Sequence, residues 1–299
     1  MRIDGRTRPA GVVGWPVAHS LSPAMHNAAY EALGLNWAYL PFAIPDQSAL
    51  SAFVDSVRRL PFVGFNVTMP YKQAMLELCD EVAALATMAG AVNTVHVADG
   101  QLIGYNTDGR GLVEALADEA GFDPTGKTVA IIGAGGAAGA AVTGFVLAKA
   151  AEIAVVNRDV GRAEDLFERI TGNLRGTTMS MYSLDSSAAM AVHDADLVVN
   201  ATPLGLGDAD PSPIPASWFR AGQVAYDMIY RAGTTGFLSD AAAAGARTHN
   251  GLGMLVSQGA LAIDIWAGAE RAQLRAPRDV MRSAAESAMN TTPSEDDVW

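Results

Sequence analysis

Residues 128–138 read Thr-Val-Ala-Ile-Ile-Gly-Ala-Gly-Gly-Ala-Ala. A short apolar run at 128–132, a glycine-rich turn and a further apolar stretch follow one another, which predicts the strand, turn and helix of a dinucleotide-binding unit. Gly133 permits the tight turn, and Gly135 lets the main chain approach a pyrophosphate. Gly136 and Ala137 open the helix, whose N-terminus favours phosphate oxygens. The alternative is an ordinary tight turn between a strand and a helix.

The next predicted strand, residues 153–156, ends at Asn157, Arg158 and Asp159. In dinucleotide-binding folds this position selects between the ribose diol of NAD and the ribose phosphate of NADP. Asp159 can accept hydrogen bonds from the diol, whereas Arg158 can pair with the phosphate. Arg162 lies one helical turn beyond and adds positive charge. We therefore predict NADP as the cofactor, with NAD as the alternative.

Apolar runs and amphipathic helices alternate on both sides of this stretch, which predicts an α/β fold. On the N-terminal side we expect strands at residues 11–14, 37–44 and 62–68, a helix at 46–60, and a hairpin turning at Asp99-Gly100. On the C-terminal side we expect strands near 197–199 and 224–227, and helices from residue 160, near 252–269 and at 279–289.

The composition excludes several classes of protein. The chain has 299 residues, 50% hydrophobic and 17% charged, which is enough for about two domains with buried cores. Its formal charge of −12, without a long basic run, argues against nucleic acid and anionic membranes as partners. Cys79 is the single cysteine, so no intramolecular disulfide forms. Residues 1–11 carry charges but no apolar stretch long enough for a signal peptide, which predicts a cytoplasmic protein.

Polar side chains collect where the predicted strands end. They are Ser20, Ser22, Asn66, Thr68, Lys72, Asn93, Asn106 and Asp108. Because ligands of open α/β sheets bind at the carboxyl ends of strands, this distribution predicts a polyhydroxylated or anionic small molecule as the substrate. Taken singly, each residue has an ordinary alternative, such as capping a helix or a turn. The histidines show no metal spacing, and we predict no metal.

Several long motifs stand in a fixed order along nearly the whole chain. They are His-Ser-Leu-Ser-Pro-Ala-Met-His-Asn at 19–27, Asn-Val-Thr-Met-Pro-Tyr-Lys at 66–72, Gly-Ala-Val-Asn-Thr at 90–94, Asn-Thr-Asp-Gly at 106–109, the glycine loop, Asn-Arg at 157–158, Asn-Ala-Thr at 200–202, Asp-Met-Ile-Tyr at 227–230 and Gly-Leu-Gly-Met-Leu-Val-Ser-Gln at 251–258. This series closely resembles the signatures of the shikimate dehydrogenase family.

The resemblance implies two α/β domains. Residues 1–107 would form the substrate-binding domain, and residues 108–250 a Rossmann-like NADP-binding domain. Residues 251–290 would form C-terminal helices that pack back on the substrate domain. The polar, acidic tail at 291–299 is expected to be disordered.

The resemblance also implies roles for single residues. Ser20 and Ser22 would hold the substrate carboxylate, and the ring hydroxyls would meet Asn93, Asp108, Thr68 and Gln258. Other expected contacts are Asn66 and Tyr230 on the substrate, and Thr202, Met228, Gly251 and Met254 on the cofactor. For Met254, its apolar helical surroundings favour core packing as the alternative.

Lys72 and Asp108 are the residues expected to carry the chemistry. Hydride transfer to a ketone leaves alkoxide charge that needs a proton, and the reverse reaction needs that proton removed. A lysine with a suitable pKa serves both directions, and a carboxylate can orient its ammonium group. The sequence departs from the family at Gly139, where an arginine is common, and at Asp159, where threonine is common. Both departures remove help for a ribose phosphate.

The expected function is the reversible NADPH-dependent reduction of 3-dehydroshikimate to shikimate, in aromatic amino acid biosynthesis. An NAD-dependent quinate/shikimate or aminoshikimate dehydrogenase is the close alternative. A non-catalytic dinucleotide-binding sensor is more distant, because it has no need for a proton-transferring lysine. A folate-linked dehydrogenase is remoter still. Either a monomer or a homodimer is compatible with the sequence.

Overall fold

The computed structural model describes residues 3–207, 209–268 and 273–290. The predicted disorder of residues 291–299 lies outside the described residues. The chain forms two compact units. The first unit comprises residues 1–87, 91–107 and 256–299, and the second comprises residues 88–90 and 108–255.

The first unit is built on a six-stranded mixed sheet. Its strands are β1 (Arg8–Gly14), β2 (Trp37–Ala43), β3 (Gly64–Val67), β4 (Glu81–Val82), β5 (Thr94–Ala98) and β6 (Gln101–Tyr105), in the spatial order β2-β1-β3-β5-β6-β4. Strands β2, β1 and β3 run parallel, β5 is antiparallel to both β3 and β6, and β4 is parallel to β6. The helices along this part of the chain are α1 (Ser22–Ala32), α2 (Gln47–Val57), α3 (Met75–Leu78) and α4 (Ala84–Ala89).

Apolar side chains of this sheet and of helix α2 form a shared core. Leu50, Val54 and Val57 recur at helical spacing on α2 and are buried in one core with Phe65 of β3. The predicted hairpin is present between β5 and β6. Its two turn residues, Asp99 and Gly100, both have positive φ, at 51° and 81°, as a two-residue hairpin of this hand requires.

The second unit contains a six-stranded, all-parallel sheet. Its strands are β7 (Thr128–Ile132), β8 (Glu152–Asn157), β9 (Thr178–Ser183), β10 (Leu197–Asn200), β11 (Val224–Asp227) and β12 (Arg247–His249), in the order β12-β11-β10-β7-β8-β9. Its helices are α5 (Asp108–Ala120), α6 (Gly136–Leu147), α7 (Val160–Thr171), α8 (Ala189–Asp194) and α9 (Gly236–Ala243).

The central strands of this sheet are apolar along most of their length because both faces are covered. Along β7, Ile131 belongs to the core on one face and Ile132 to the core on the other. Counted from β7, the strand order is that of a six-stranded dinucleotide-binding fold. The order reverses between β7 and β10, so the crevice beyond their carboxyl ends is where a ligand is expected.

Two helices end the chain. Helix α10 (Leu252–Ala267) passes from the second unit into the first between Leu255 and Val256, and α11 (Arg278–Met289) packs on α1 within the first unit. The sequence places this change at Gly251, just before α10 begins, whereas the units change inside the helix. The units also change between Thr107 and Asp108, and residues 88–90 belong to the second unit.

The predicted class, two α/β domains with parallel strands, is confirmed. Strands β7 and β11 have the predicted bounds, and α7 begins at the predicted residue. Strands β4, β9 and β12 and helix α9 were not predicted. Within the described part of the chain, no helix combines the length and apolar character needed to span a membrane.

Candidate active site

The glycine loop lies at the switch point of the second sheet. Gly133 follows β7 with a φ of +117°, a conformation that side chains disfavour, and its N–H donates to the Val156 carbonyl at 2.8 Å. A Cβ at Gly133 would lie 3.0 Å from the Ala201 carbonyl oxygen, so the loop passes closely beside the turn that follows β10. The sequence pattern and the backbone therefore agree on a tight turn at this place.

Gly135 and Gly136 form the part of the loop that a phosphate would approach. Gly135 is exposed and occupies the N-cap of α6, where it has no side chain to accept from the first-turn N–H groups. A Cβ at Gly135 would meet no described atom within 4 Å. Ala137, in the first turn, is half-buried. This glycine cradle at a helix N-terminus fits the pyrophosphate of a dinucleotide.

A buried polar network ties the turns after β10 and β11 together. The Asn200 side chain accepts from the Thr202 N–H at 3.0 Å and hydroxyl at 2.7 Å, and it donates to Asp227 at 3.0 Å. Asp227 also accepts from the Ile229 N–H at 3.1 Å and the Thr235 hydroxyl at 2.6 Å. Burial raises the pKa of the Asp227 carboxyl. The network holds the predicted cofactor contact Thr202 at the switch point.

Glycine also brings the start of α10 close to β11. A Cβ at Gly251 would collide with the Met228 carbonyl oxygen, so only glycine fits there. Met254 is buried in the core of the second unit, and its N–H donates to the Tyr226 hydroxyl at 3.1 Å. Met228 is half-buried and packs against the same core. Burial raises the pKa of Tyr230 to about 12, so its phenol is neutral and can donate a hydrogen bond.

Arg158 and Asp159, the two residues predicted to select the cofactor, follow β8 and have different surroundings. Arg158 is exposed. Asp159 caps α7, accepting from the Gly161 N–H at 3.1 Å, and its carboxylate lies 3.6 Å from the Arg162 Nε. A carboxylate at a helix N-terminus is favourable there. Asn157 donates to the Asp159 carbonyl at 2.8 Å. Asp159 thus has a structural role that accounts for its place beside Arg158.

Gly139 departs from the family pattern for a packing reason. It is buried on α6, and a Cβ there would collide with the carbonyl oxygen of Ala89 at the end of α4. Ala89 belongs to the second unit together with α6. An arginine at position 139 therefore does not fit this backbone without moving the end of α4.

The predicted carboxylate-binding serines lie at the start of α1 in the first unit. Ser22 is buried at the first position of the helix, and its N–H donates to the half-buried Ser20 hydroxyl at 3.3 Å. One turn further, His26 Nδ1 lies 2.9 Å from the Ser22 carbonyl oxygen. Burial lowers the pKa of His26 to about 4, so the ring is neutral at pH 7 with its hydrogen on Nδ1.

Thr68 and Lys72 follow β3 in the same unit. Both side chains are half-buried. Backbone bonds fix the segment, since the Thr68 N–H donates to the Val13 carbonyl at 2.9 Å and the Lys72 carbonyl accepts from the Val92 N–H at 2.8 Å. Asp108, the other predicted catalytic residue, is buried in the first turn of α5 and belongs to the second unit.

The structure brings Asn66, Asn93 and Gln258 together in a buried network. Asn66 donates to the Asn93 carbonyl at 3.2 Å, and Asn93 donates to the Gln258 side-chain oxygen at 3.3 Å. Three further members were missed: Tyr39, Thr94 and Thr107. Thr94 and Thr107 stand beside predicted residues, which is a usable signal. Tyr39 sits in an apolar strand, where nothing in the sequence separates it from a core residue.

Among the described residues, no group of three or more His, Cys, Asp or Glu side chains could hold a metal ion. The absence of a metal remains a prediction from the sequence.

A parallel six-stranded sheet with a glycine cradle at its switch point defines a dinucleotide-binding α/β protein, here joined to a second α/β domain. Residues 12–95 match the family described as shikimate dehydrogenase substrate binding domain, and residues 115–204 match shikimate / quinate 5-dehydrogenase. A Geobacter metallireducens protein named shikimate dehydrogenase (NADP(+)) is 43% identical over 290 residues, covering 97% of this chain and 99% of that protein. The chain belongs to the shikimate dehydrogenase family.

Solved structures agree with this assignment. A crystal structure of a shikimate dehydrogenase in complex with NADP+ has a TM-score of 0.86 at 37% identity, over 96% of this chain and 98% of that one. The Thermus thermophilus shikimate 5-dehydrogenase in complex with NADP(H) and shikimate has a TM-score of 0.82 at 38% identity, over 94% and 99% of the two chains.

Proposed function

We propose that this protein is an NADP-dependent oxidoreductase that interconverts shikimate and 3-dehydroshikimate. The observation that carries the proposal is the 43% identity to an NADP(+) shikimate dehydrogenase along 97% of the chain. The glycine cradle and the switch-point turn beside it support the cofactor assignment independently, because they suit a pyrophosphate on chemical grounds.

Each predicted site residue has a proposed role. Ser20 and Ser22 bind the substrate carboxylate at the start of α1, and Asn93, Thr68 and Gln258 bind ring hydroxyls. The loop from Gly133 to Ala137 holds the pyrophosphate, and Arg158 with Arg162 favours the ribose phosphate. Bound NADP supplies the hydride chemistry. Lys72 moves the proton of the reacting hydroxyl, and Asp108 acts with it.

The geometry after β8 favours NADP over NAD. Asp159 caps α7 through its carboxylate, and this capping role explains an acidic residue here without a ribose diol as its partner. Arg158 precedes it with an exposed guanidinium, whose planar fork suits a phosphate. The NAD-dependent quinate, shikimate or aminoshikimate dehydrogenase is the second candidate, since position 139, where an arginine is common in the family, is a glycine here.

A steady-state panel of shikimate and quinate, each with NADP+ and NAD+, tests the proposal. Without added metal, the purified protein should reduce NADP+ with shikimate, because each reacting group is a side chain or the cofactor. Efficient turnover confined to quinate with NAD+ would favour the second candidate. No reduced nicotinamide in any of the four combinations would leave a dinucleotide-binding sensor.

Two further assignments stay predictions from the sequence. We propose a cytoplasmic location, and either a monomer or a homodimer as the assembly. Subcellular fractionation and sedimentation of the purified protein measure them directly.

A further inference from the structure

The side chains behind the proposed substrate residues form one continuous hydrogen-bonded chain, all within the first unit. The Tyr39 hydroxyl donates to the Asn66 side-chain oxygen at 2.8 Å. The Asn66 amide donates to the Thr94 hydroxyl at 3.0 Å, and the Thr94 hydroxyl donates to the Asn93 side-chain oxygen at 3.0 Å. The Asn93 amide then donates to the Gln258 side-chain oxygen at 3.3 Å. All five residues are buried.

Every bond in this chain points the same way, from Tyr39 towards Gln258. A phenol held on a carbonyl oxygen can only donate to it, so Tyr39 fixes the Asn66 oxygen on its own side and the Asn66 amide hydrogens on the other. Thr94 receives one of those hydrogens and is left to donate its own. Aligned hydrogen bonds of this kind polarise and strengthen one another in a buried setting.

At the far end of the chain, Asn93 is also bonded to Thr107. The Asn93 side-chain oxygen also accepts from the backbone N–H of Thr107 at 2.8 Å, and the Asn93 amide donates to the Thr107 hydroxyl at 2.9 Å. The Asn93 amide therefore donates to both Thr107 and Gln258, and the Gln258 side-chain oxygen is the acceptor at the end of the chain. The positions of Asn93 and Gln258, which are proposed to bind ring hydroxyls, therefore depend on this chain.

Helix α1 holds Tyr39 from two directions. The neutral His26 ring stacks on the Tyr39 ring, with centroids 4.0 Å apart and an interplanar angle of 18°. Asn27 donates to the Tyr39 carbonyl at 3.0 Å and accepts from its N–H at 2.8 Å. The same helix begins at Ser22. One rigid element thus carries both the proposed carboxylate contact and the support of the Tyr39 chain.

We propose that Tyr39 is a positioning residue for substrate recognition: its hydroxyl holds Asn66 in place, and through Asn66 and Thr94 it holds the side chains of Asn93 and Gln258. The proposal rests on the proposed function, because it concerns the same substrate. Asn66 accordingly acts through Asn93, since both of its amide hydrogens are donated inside the protein.

The test compares Tyr39→Phe with Tyr30→Phe. Both tyrosines are fully buried and both contact His26, but the Tyr30 hydroxyl has no hydrogen-bond partner among the described residues. Tyr39→Phe leaves the Asn66 oxygen without its donor, so the KM for shikimate should rise roughly three- to thirtyfold while the KM for NADP+ stays unchanged. Tyr30→Phe should leave both constants near wild type.

Thr94 provides a second break in the same chain. Thr94→Val should reproduce the rise in KM of Tyr39→Phe, Thr94→Ser should restore the wild-type value, and Tyr39→Phe with Thr94→Val should be less than additive. Equal effects of Tyr39→Phe and Tyr30→Phe, or full additivity, would overturn the proposal.

Side-chain amide signals of Asn93 in protein labelled with 15N-asparagine give a readout that needs no activity. They should shift or broaden in Tyr39→Phe, because Asn66 and Thr94 lose the bond that holds them in place against Asn93, and stay as in wild type in Tyr30→Phe. A wild type without shikimate oxidation would remove the proposed function, whereas unchanged amide signals in Tyr39→Phe would remove the positioning role.

Discussion

Cofactor choice belongs to the residue scale, since two neighbouring side chains decide it. Arg158→Ala should lower the ratio of catalytic efficiencies for NADP+ and NAD+ by roughly ten- to a hundredfold, because one charge-assisted arginine–phosphate contact is worth about 1.5–3 kcal/mol. Asp159→Asn should raise the ratio, since asparagine keeps the helix cap and removes the negative charge.

Asp159→Asn should change the charge beside Arg158 without changing the stability of the protein. Its midpoint of urea denaturation should therefore match that of wild type. A wild type that prefers NAD+, and loses that preference in Asp159→Asn, would show that Asp159 is the selector. The preference then would come from the ribose diol and not from Arg158.

Proton transfer is the second property of single residues. Lys72→Ala should lower kcat by roughly two to four orders of magnitude, the usual contribution of a positioned acid or base, with a smaller change in substrate affinity. Lys127→Ala is the matched control, because Lys127 is half exposed and only 3.9 Å from Asp196 on the surface. A Lys72→Ala enzyme with normal kcat and a raised KM would assign Lys72 to binding alone.

The residue scale also shows what a sequence reveals about a site. Asn66 and Asn93 were found among the polar residues at predicted strand ends, and Gln258 was found through the family motif at 251–258. Which of these residues contacts a ligand and which only supports another side chain depends on the direction of their hydrogen bonds. Only the coordinates give that direction. Tyr39 could not be found, because a tyrosine in an apolar strand looks the same in sequence whether it only packs in the core or also donates a hydrogen bond.

At the scale of elements, Gly139 within α6 and Gly135 at the N-cap of the same helix are expected to have different roles. Gly139 lies where a Cβ would collide with the Ala89 carbonyl oxygen, whereas a Cβ at Gly135 would meet no described atom within 4 Å. Gly139→Ala should therefore lower the free energy of unfolding by about 1–3 kcal/mol, as overpacking does. Gly135→Ala should leave it nearly unchanged and weaken NADP+ binding, because the methyl group would occupy the place of a phosphate oxygen.

Urea denaturation and NADP+ titration of both variants separate the two roles. A stable Gly139→Ala protein would show that the end of α4 yields easily, and an arginine at that position would then become compatible with this fold. Unaltered NADP+ affinity in Gly135→Ala would place the pyrophosphate away from the loop.

Elements differed in how far the sequence predicted them. Strands β7 and β11 have continuous apolar runs, since they are covered on both faces, and Asp159 marks the start of α7 as an N-cap. Strand β9 lies at the edge of its sheet and mixes methionine with serine, so no apolar pattern marks it. Strand β12, also at an edge, spans only Arg247–His249. Edge strands of this kind are identified by their pairing with an adjacent strand. That pairing is a feature of the tertiary structure, and a local sequence pattern does not contain it.

At the scale of the whole molecule, the C-terminal helix offers the clearest test of domain membership. Helix α11 packs on α1, and both belong to the first unit, although residues 108–255 separate them in sequence. A ligand at 100 times its Kd stabilises the state that binds it by about 2.7 kcal/mol, which slows hydrogen exchange through unfolding about a hundredfold. Shikimate should therefore protect amides of α11 together with those of α1.

NADP+ alone should instead protect β7 and α6, since the cradle lies between them. Ser22→Ala supplies the control: at an unchanged shikimate concentration, protection of α1 and α11 should fall together, while protection by NADP+ stays as in wild type. Protection of α11 by NADP+ and not by shikimate would assign the helix to the cofactor domain. Because exchange is read segment by segment, this outcome is independent of turnover, and it separates the architecture of the chain from the chemistry proposed for it.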